Sequence, residues 1–375
     1  TSIHSLMMSR KPECRYGSKC YRKSEDHLRS FDHPEDVGSP KRARTSDSPL
    51  GGNHSTDYLE FIKENFLITM PRDFFEFWEF CKSLNPEAPE ESLRDVGLRL
   101  VGPYDVLSGK IEIDCKYPEN SFLCHWRYFY DPPEFTTVLS SDANSGFHIG
   151  YFRDDPLKEP LFLCSNSAKL DCVFTPVGGN IFTAVMLHIQ SAEKSCSIFS
   201  KNKLLKIVKL CKNWAKCHNF PLEESTSAMK LRQKDSVGKT FHNLGIVVPI
   251  DKNTKVGYRE IPESKANLKK LLKKIADCSS EEQRKLCFDP LHELITNVQF
   301  ANDEGDPGMG LELGLNLFSY GKECFHTPAL QLLSMAYELL DREPFIKIIE
   351  AHLATRKVDD LSCIPPKKSD DGPVG

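Results

Sequence analysis

The chain has 375 residues, 39% of them hydrophobic and 27% charged, a balance that suits a globular protein long enough for two core-forming domains. Its formal net charge is only -4, so overall charge offers no argument for nucleic-acid binding and basic clusters have to be judged locally. No run of about 18 apolar residues occurs, so no transmembrane helix is expected, and the opening TSIHSLMMSRKPEC carries too short an apolar segment for a secretory signal.

Most of the 14 cysteines stand singly in apolar stretches, where Cys81, Cys164, Cys172 and Cys324 read as buried thiols. Residues 11–34 differ. Cys14-x5-Cys20-x6-His27-x5-His33 offers two thiolates and two imidazoles, the donor set of a tetrahedral zinc site. A segment this small buries too little apolar surface to fold unaided, so structural zinc would supply the folding energy. The spacing differs from that of the DNA-reading Cys2His2 finger, so sequence-specific DNA reading is not expected. The string Lys11-x-x-Cys14-Arg15-Tyr16-Gly17-x-x-Cys20-Tyr21-Arg22-Lys23, continued by His27 and by Phe31-x-His33-Pro34, closely resembles the poly(ADP-ribose)-binding zinc finger. The resemblance implies that Tyr16 and Tyr21 stack on adenine and that Arg22 contacts ribose or phosphate. Aromatic faces beside a guanidinium suit an anionic, adenine-bearing polymer. The competing role for the two tyrosines is packing of a mini-core.

Residues 35–56 are rich in Ser, Pro, Gly and charge and read as a disordered linker. Within them Pro40-Lys41-Arg42-Ala43-Arg44 reads as a nuclear import signal, or else as a solubilising stretch. From residue 57 the pattern is that of an α+β fold. Asp57 is placed to cap a helix carrying Tyr58, Phe61, Ile62 and Phe66. Pro71 opens a second helix, dense in Phe74, Phe75, Phe77, Trp78 and Phe80, where core packing is the expected role. Strands are expected at 121–130 (SFLCHWRYFY), 147–152, 160–164 and 171–175. These elements make an α+β lobe of residues 57–192.

The lobe of residues 193–357 is mainly helical. Helices are expected at 201–217, at 264–276 with Leu268, Leu271, Leu272 and Ile275 on one stripe, and at 290–302, 328–340 and 344–355, with a strand at 245–250. Residues 358–375 read as a disordered tail. Cys211, Cys217 and His218 look metal-like, but helical spacing points the two thiols to different faces.

The segment 298–314 (VQFANDEGDPGMGLELG) crowds Asp303, Glu304 and Asp306 at the end of an apolar helix, followed by Gly305, Pro307, Gly308 and Gly310, which read as breakers of regular structure. Negative charge is unfavourable at a helix C-terminus. From the residues alone three roles stay open: a divalent-metal site, a solvated turn, and a catalytic or docking carboxylate.

Segments spread over the globular part, among them PRDFFEFWEFCKSLNPE, LVGPYDVLSGK, HWRYFYDPPEF, KTFHNLGIVVPIDKN, VGYREIPE, VQFANDE and GMGLELGLNLFSYG, resemble the histone PARylation factor family from about residue 57 to 357. That resemblance implies an accessory factor with no transferase activity alone. Such a factor docks on the catalytic domain of a DNA-damage-activated poly(ADP-ribose) polymerase, which supplies NAD, and directs modification to serine on histones at damaged chromatin in the nucleus. By the same resemblance Glu304 is the catalytic carboxylate, Asp303 supports docking, and Tyr258 and Arg259 stand near the joint site, with Asp306 as a further supporting acid. The loop departs from the family pattern at Gly305 and Pro307, where a cysteine and an aromatic residue are expected.

The chemistry is coherent on its own terms. A serine hydroxyl must lose its proton as it attacks an oxocarbenium-like centre, and a positioned carboxylate removes it. Arg259 is placed to orient Glu304 by a bidentate contact. A paired carboxylate is a weaker base, so position has to matter more than basicity. His125 reads as a packed residue, and His242 and Asp251 as possible lining of the site. No phosphate-binding loop, dinucleotide fingerprint or serine-hydrolase elbow occurs. The readings that compete with the accessory factor are a non-catalytic poly(ADP-ribose) reader or scaffold in DNA repair and a metal-dependent ADP-ribose hydrolase.

Overall fold

Phenylalanines at three-residue intervals give helix α2 (Arg72–Leu84) its buried face, and the computed structural model, which describes residues 54–193, 198–358 and 361–365, sets Phe74, Phe77 and Phe80 at the centre of a first core. Phe74 stacks on Tyr104 at 4.0 Å, and Phe77 meets Phe182 edge-on at 5.2 Å. Pro71 is the N-cap of α2, one residue ahead of the expected first turn. The preceding helix α1 (His54–Asn65) starts earlier than expected, so Asp57 lies in its first turn and is not the cap. There its charge still complements the helix dipole.

Among the described residues five strands form one antiparallel sheet in sequence order: β1 (Arg99–Leu100), β2 (Phe135–Ser140), β3 (Phe147–Phe152), β4 (Phe162–Ser167) and β5 (Thr175–Gly178). β3 lies where the alternation placed a strand, and β4 begins inside the expected 160–164 and runs three residues past it. The stretch 121–130 is not a strand: α4 (Ser121–Cys124), which follows the short α3 (Tyr104–Leu107), occupies its start. Asn120 and Trp126, with φ of 62° and 55°, turn the chain out of any extended path. β2 was not foreseen because all six of its residues are buried, which erases the alternation. Strand β5 begins later than expected because the Asp171 carboxylate accepts the Val173 N–H at 2.8 Å and holds 171–173 in a turn.

Helix α5 (Ile181–Glu193) packs the sheet against α2, and α6 (Ile198–Cys217) packs on α5. After α7 (Ser227–Asp235) come α8 (Lys265–Ala276) and α9 (Glu281–Asp303). α9 runs nine residues further upstream than expected, with Pro290 inside it and the Ser280 hydroxyl accepting from Gln283 N–H as its cap. No strand forms at 245–250; Ile246 makes an isolated bridge to Val237, and Pro249 has no N–H to extend it.

The largest departure is α10 (Pro307–Tyr320), a helix buried from Gly308 through Ser319, where its glycines suggested irregular chain. Pro307 occupies the first helical position, which tolerates it. The glycines mark close packing: a methyl group on Gly314 would come within 2.8 Å of Leu333. α10 is the axis of a second core, flanked by α9, by α11 (His326–Leu339) and, beyond that, by α12 (Glu343–Thr355). Residues 361–365 of the expected disordered tail are built in. Ser362 accepts the Trp126 N–H, and Ile364 N–H donates to His125 Nδ1, both at 2.9 Å. The described residues belong to one compact unit, and none of their helices is long and apolar enough to cross a membrane.

Candidate functional site

The site is the corner between α9 and α10. α9 ends in a Schellman motif: Gly305 N–H donates to Asn302 C=O at 3.0 Å and Asp306 N–H to Ala301 C=O at 2.8 Å. That motif needs a left-handed residue after the cap, and Gly305 supplies it with φ 88°. The glycine departing from the expected cysteine thus sits where glycine is least strained. Asp306 then stands at the head of α10, with Pro307 next. The acidic run is therefore divided between two helix ends, and Asp306 occupies the one where negative charge is favourable.

Asp306 is buried and fully engaged. One carboxylate oxygen accepts the Gly257 N–H at 2.8 Å and the other lies 3.0 Å from Arg259 Nη2. Gly308 N–H returns a bond to Gly257 C=O at 3.1 Å. The turn before Gly257 is tied by Asp251, which accepts from Asn253 and Thr254 N–H at 2.9 and 2.7 Å. Asp251 thus shapes the loop that leads into Gly257 and Arg259. Segment 251–259 is in this way clamped onto the α9–α10 corner.

Arg259 Nη2 also hydrogen-bonds Glu304 Oε2. The expected bidentate fork is corrected: one nitrogen bridges two carboxylates, an arrangement that leaves Glu304 Oε1 without a hydrogen bond among the described residues. The Glu304 side chain is 61% exposed, that of Asp306 only 7%. The hydrogen bond to Glu304 is the main influence holding the Arg259 guanidinium more firmly protonated than usual. Asp303, the last residue of α9, is exposed beside them.

Tyr258 turns inward. Its hydroxyl donates to Glu312 Oε2 at 2.8 Å, while Glu312 Oε1 accepts Lys239 N–H at 2.7 Å. Burial, then the Glu312 carboxylate, pushes the phenol well above its ordinary range, so Tyr258 is a neutral brace between its loop and α10. Sequence reasoning missed Glu312 in this role and also Phe300, which is 58% exposed one helical turn before Glu304. Val256, beside Gly305, is exposed as well. Spacing gave no warning, since Phe300 stands in an apolar run that reads as core.

The remaining candidates fall elsewhere. His242 is buried and not part of the corner; its Nδ1 accepts Leu244 N–H at 3.3 Å. His125 is a packed residue: with Nδ1 accepting from Ile364, its Nε2 hydrogen donates to Asp105 at 2.9 Å. Cys211 is buried with its thiol toward Phe182 C=O, Cys217 is exposed, and His218 stacks on Trp214 at 4.7 Å. The finger residues Cys14, Tyr16, Cys20, Tyr21, Arg22, His27 and His33, and the basic cluster 40–44, lie outside the described residues.

Fold and site define a mixed α+β protein that presents an exposed carboxylate, held by a guanidinium, at a clamped corner between two helices. The family model described as Histone PARylation factor 1 matches residues 57–356, and that of the PBZ domain matches residues 11–36. The chain is 45% identical over 324 residues to Histone PARylation factor 1 of Bos taurus, covering 86% of this chain and 92% of that protein. It is 44% identical to the Mus musculus protein of that name, covering 82% and 89%, and 47% identical to the Danio rerio one, covering 80% and 86%. The chain belongs to the histone PARylation factor 1 family, with a PBZ domain at its N-terminus.

Proposed function

We propose that this chain is an accessory factor that docks on the catalytic domain of a DNA-damage-activated poly(ADP-ribose) polymerase and completes its active site with Glu304. The polymerase supplies NAD; this chain supplies the base that lets serine, on histones and other proteins, act as acceptor. The observation that carries the reading is the Arg259–Glu304 contact. Oε2 is held by Arg259 while Oε1 makes no hydrogen bond among the described residues, and the side chain projects into solvent from a rigid corner. A carboxylate built this way has little to do within its own chain and is available to a second protein.

The chemistry follows from the acceptor. An Asp or Glu acceptor is already an anion at neutral pH, whereas a serine hydroxyl is not. Oε1 takes the hydroxyl proton as the oxygen attacks the anomeric carbon and nicotinamide leaves, a contribution of roughly 10²–10⁴-fold. Arg259 fixes the carboxylate, Asp306 fixes Arg259, and Tyr258 fixes the loop that carries it. Asp303 and the exposed Phe300 and Val256 suit a mixed apolar and acidic contact with the polymerase. At the N-terminus Cys14, Cys20, His27 and His33 hold structural zinc, and Tyr16, Tyr21 and Arg22 bind the poly(ADP-ribose) product. The cluster 40–44 directs import to the nucleus, where the factor acts at damaged chromatin.

The test is reconstitution of the full chain with the polymerase, NAD and a histone peptide, followed by mapping of the acceptor residue. Glu304→Gln keeps the shape and should lose serine transfer by about 100-fold or more while still binding the polymerase. Serine transfer at full rate by this variant would overturn the role. The PBZ match favours one second reading, a non-catalytic poly(ADP-ribose) reader or scaffold in DNA repair. It requires the opposite pattern, with Cys14→Ala harmful and Glu304→Gln harmless.

A further inference from the structure

Helix α8 is charged with one sign only. Its sequence, KANLKKLLKKIA, holds five lysines and no acidic residue. Leu268, Leu272 and Ile275 are buried against the second core, so Lys269, Lys270, Lys273 and Lys274 fall on the opposite, exposed face. None of these four makes an ion pair among the described residues, although Lys269 rests its ammonium 5.0 Å from the Phe241 ring centroid. Lys269 and Lys273, and Lys270 and Lys274, are like-charged pairs one turn apart, an arrangement that disfavours the isolated helix. A helix whose charges serve only hydration normally mixes signs, as α9 does with its glutamates, aspartates, arginine and lysine. The concentration of positive charge is sharper still in a chain whose net charge is -4.

We propose that the lysine face of α8 is a docking surface for the phosphate backbone of double-stranded DNA, bound without regard to sequence. The chemistry of the face selects this occupant. It uses lysine alone, a point charge suited to phosphate, and no arginine of the kind that forks onto carboxylates in acidic protein segments. No aromatic residue stands on the helix, so bases of a single strand or adenines of a polymer would find no stacking platform, whereas a duplex keeps its bases inside. The apolar face is already buried, so the helix cannot sink into a lipid surface. Like-charge crowding already disfavours the ammonium of Lys265 at the start of the helix, after burial as the larger cause, and a phosphate backbone along the face would relieve that crowding.

The test uses the full chain alone, without polymerase or NAD, so its failure leaves the Glu304 assay untouched. Fluorescence anisotropy with a 20-base-pair duplex is read at several salt concentrations, for the native chain and for Lys270→Gln/Lys273→Gln/Lys274→Gln. The triple variant should bind about tenfold or more weakly at low salt. Its slope of log affinity against log salt should be shallower by about 0.9 for each lost phosphate contact. Its thermal midpoint should be unchanged, which shows that the fold is intact. An unchanged duplex affinity in the folded variant overturns the proposal. So does competition in which poly(ADP-ribose) or a single strand, at equal charge, displaces the duplex from the native chain but not from the variant, since the lysines would then serve another polyanion.

Discussion

Arg259 and Asp306 meet at 3.0 Å, with the guanidinium at the surface and the carboxylate almost fully buried. Because the same carboxylate holds the Gly257 N–H at 2.8 Å, Asp306 ties the position of the arginine to the fold. The arginine in turn positions Glu304. Order passes outward from a buried acid, through one exposed cation, to an exposed acid.

The pair separates stability from activity. Arg259 is exposed, and removing it should cost less stability than removing the buried Asp306 that holds it. In the reconstituted assay Arg259→Ala should nevertheless lower serine transfer by about tenfold or more, because Glu304 loses its anchor. Denaturant titration and acceptor mapping on the same preparation check both halves.

Asp306 should behave in the opposite way. Asp306→Ala strands the buried Gly257 N–H and frees Arg259, costing about 1–3 kcal/mol in unfolding free energy. Asp306→Asn keeps an acceptor for Gly257 and should cost less. An alanine variant as stable as the parent would show that the clamp on 251–259 is held elsewhere.

Two glycines of the corner should respond unequally to alanine. Gly257 has φ 128°, and a Cβ there would collide with the Pro249 carbonyl, so Gly257→Ala should lose at least about 2 kcal/mol. Gly305 has φ 88° but meets only Val256 Cγ1 at 3.1 Å, so Gly305→Ala should cost about 1–2 kcal/mol, mostly backbone strain. Thermal unfolding of the two variants ranks them.

His242 should contribute to acid sensitivity. Burial, reinforced by Arg232 and Lys265, lowers its pKa from 6.5 to about 3, so the folded state keeps it neutral where the unfolded state protonates it. Its stabilising contribution is whole above pH 6.5 and is lost as pH falls toward 3, at about 1.4 kcal/mol per pH unit. Asp73 works against it. Burial raises that carboxyl to about 6, so its contribution is whole below pH 3.8 and is lost as pH rises through 6. His242→Phe should therefore show a shallower loss of stability between pH 6.5 and 3 than the parent, measured by denaturant midpoints across that range.

Much of this was readable along the chain, and what was not has identifiable causes. The stripe of Leu268, Leu272 and Ile275 fixed α8 to within a residue, since that signal is local. β3 was visible, whereas β2 was hidden by burial on both faces. Composition left the acidic run open between a metal site, a turn and a carboxylate, the family resemblance singled out Glu304 and Arg259, and the wiring between them was not readable. A sharing of one guanidinium nitrogen between two acids depends on how a loop 45 residues upstream is laid against the helix end.

Composition and short-range spacing were enough to place the periodic helices, and they offered candidates for a finger's donor set and for acid–base chemistry, because signals of that kind are local. That the glycine-rich stretch after Asp306 is a buried helix is a matter of tertiary packing. There the glycines answer to neighbouring side chains such as Leu333, and no local propensity records them. Packing also sets which of the three acids in this run is buried as a strut and which two stay exposed, since burial comes from segments distant in the chain lying over one residue and not the next.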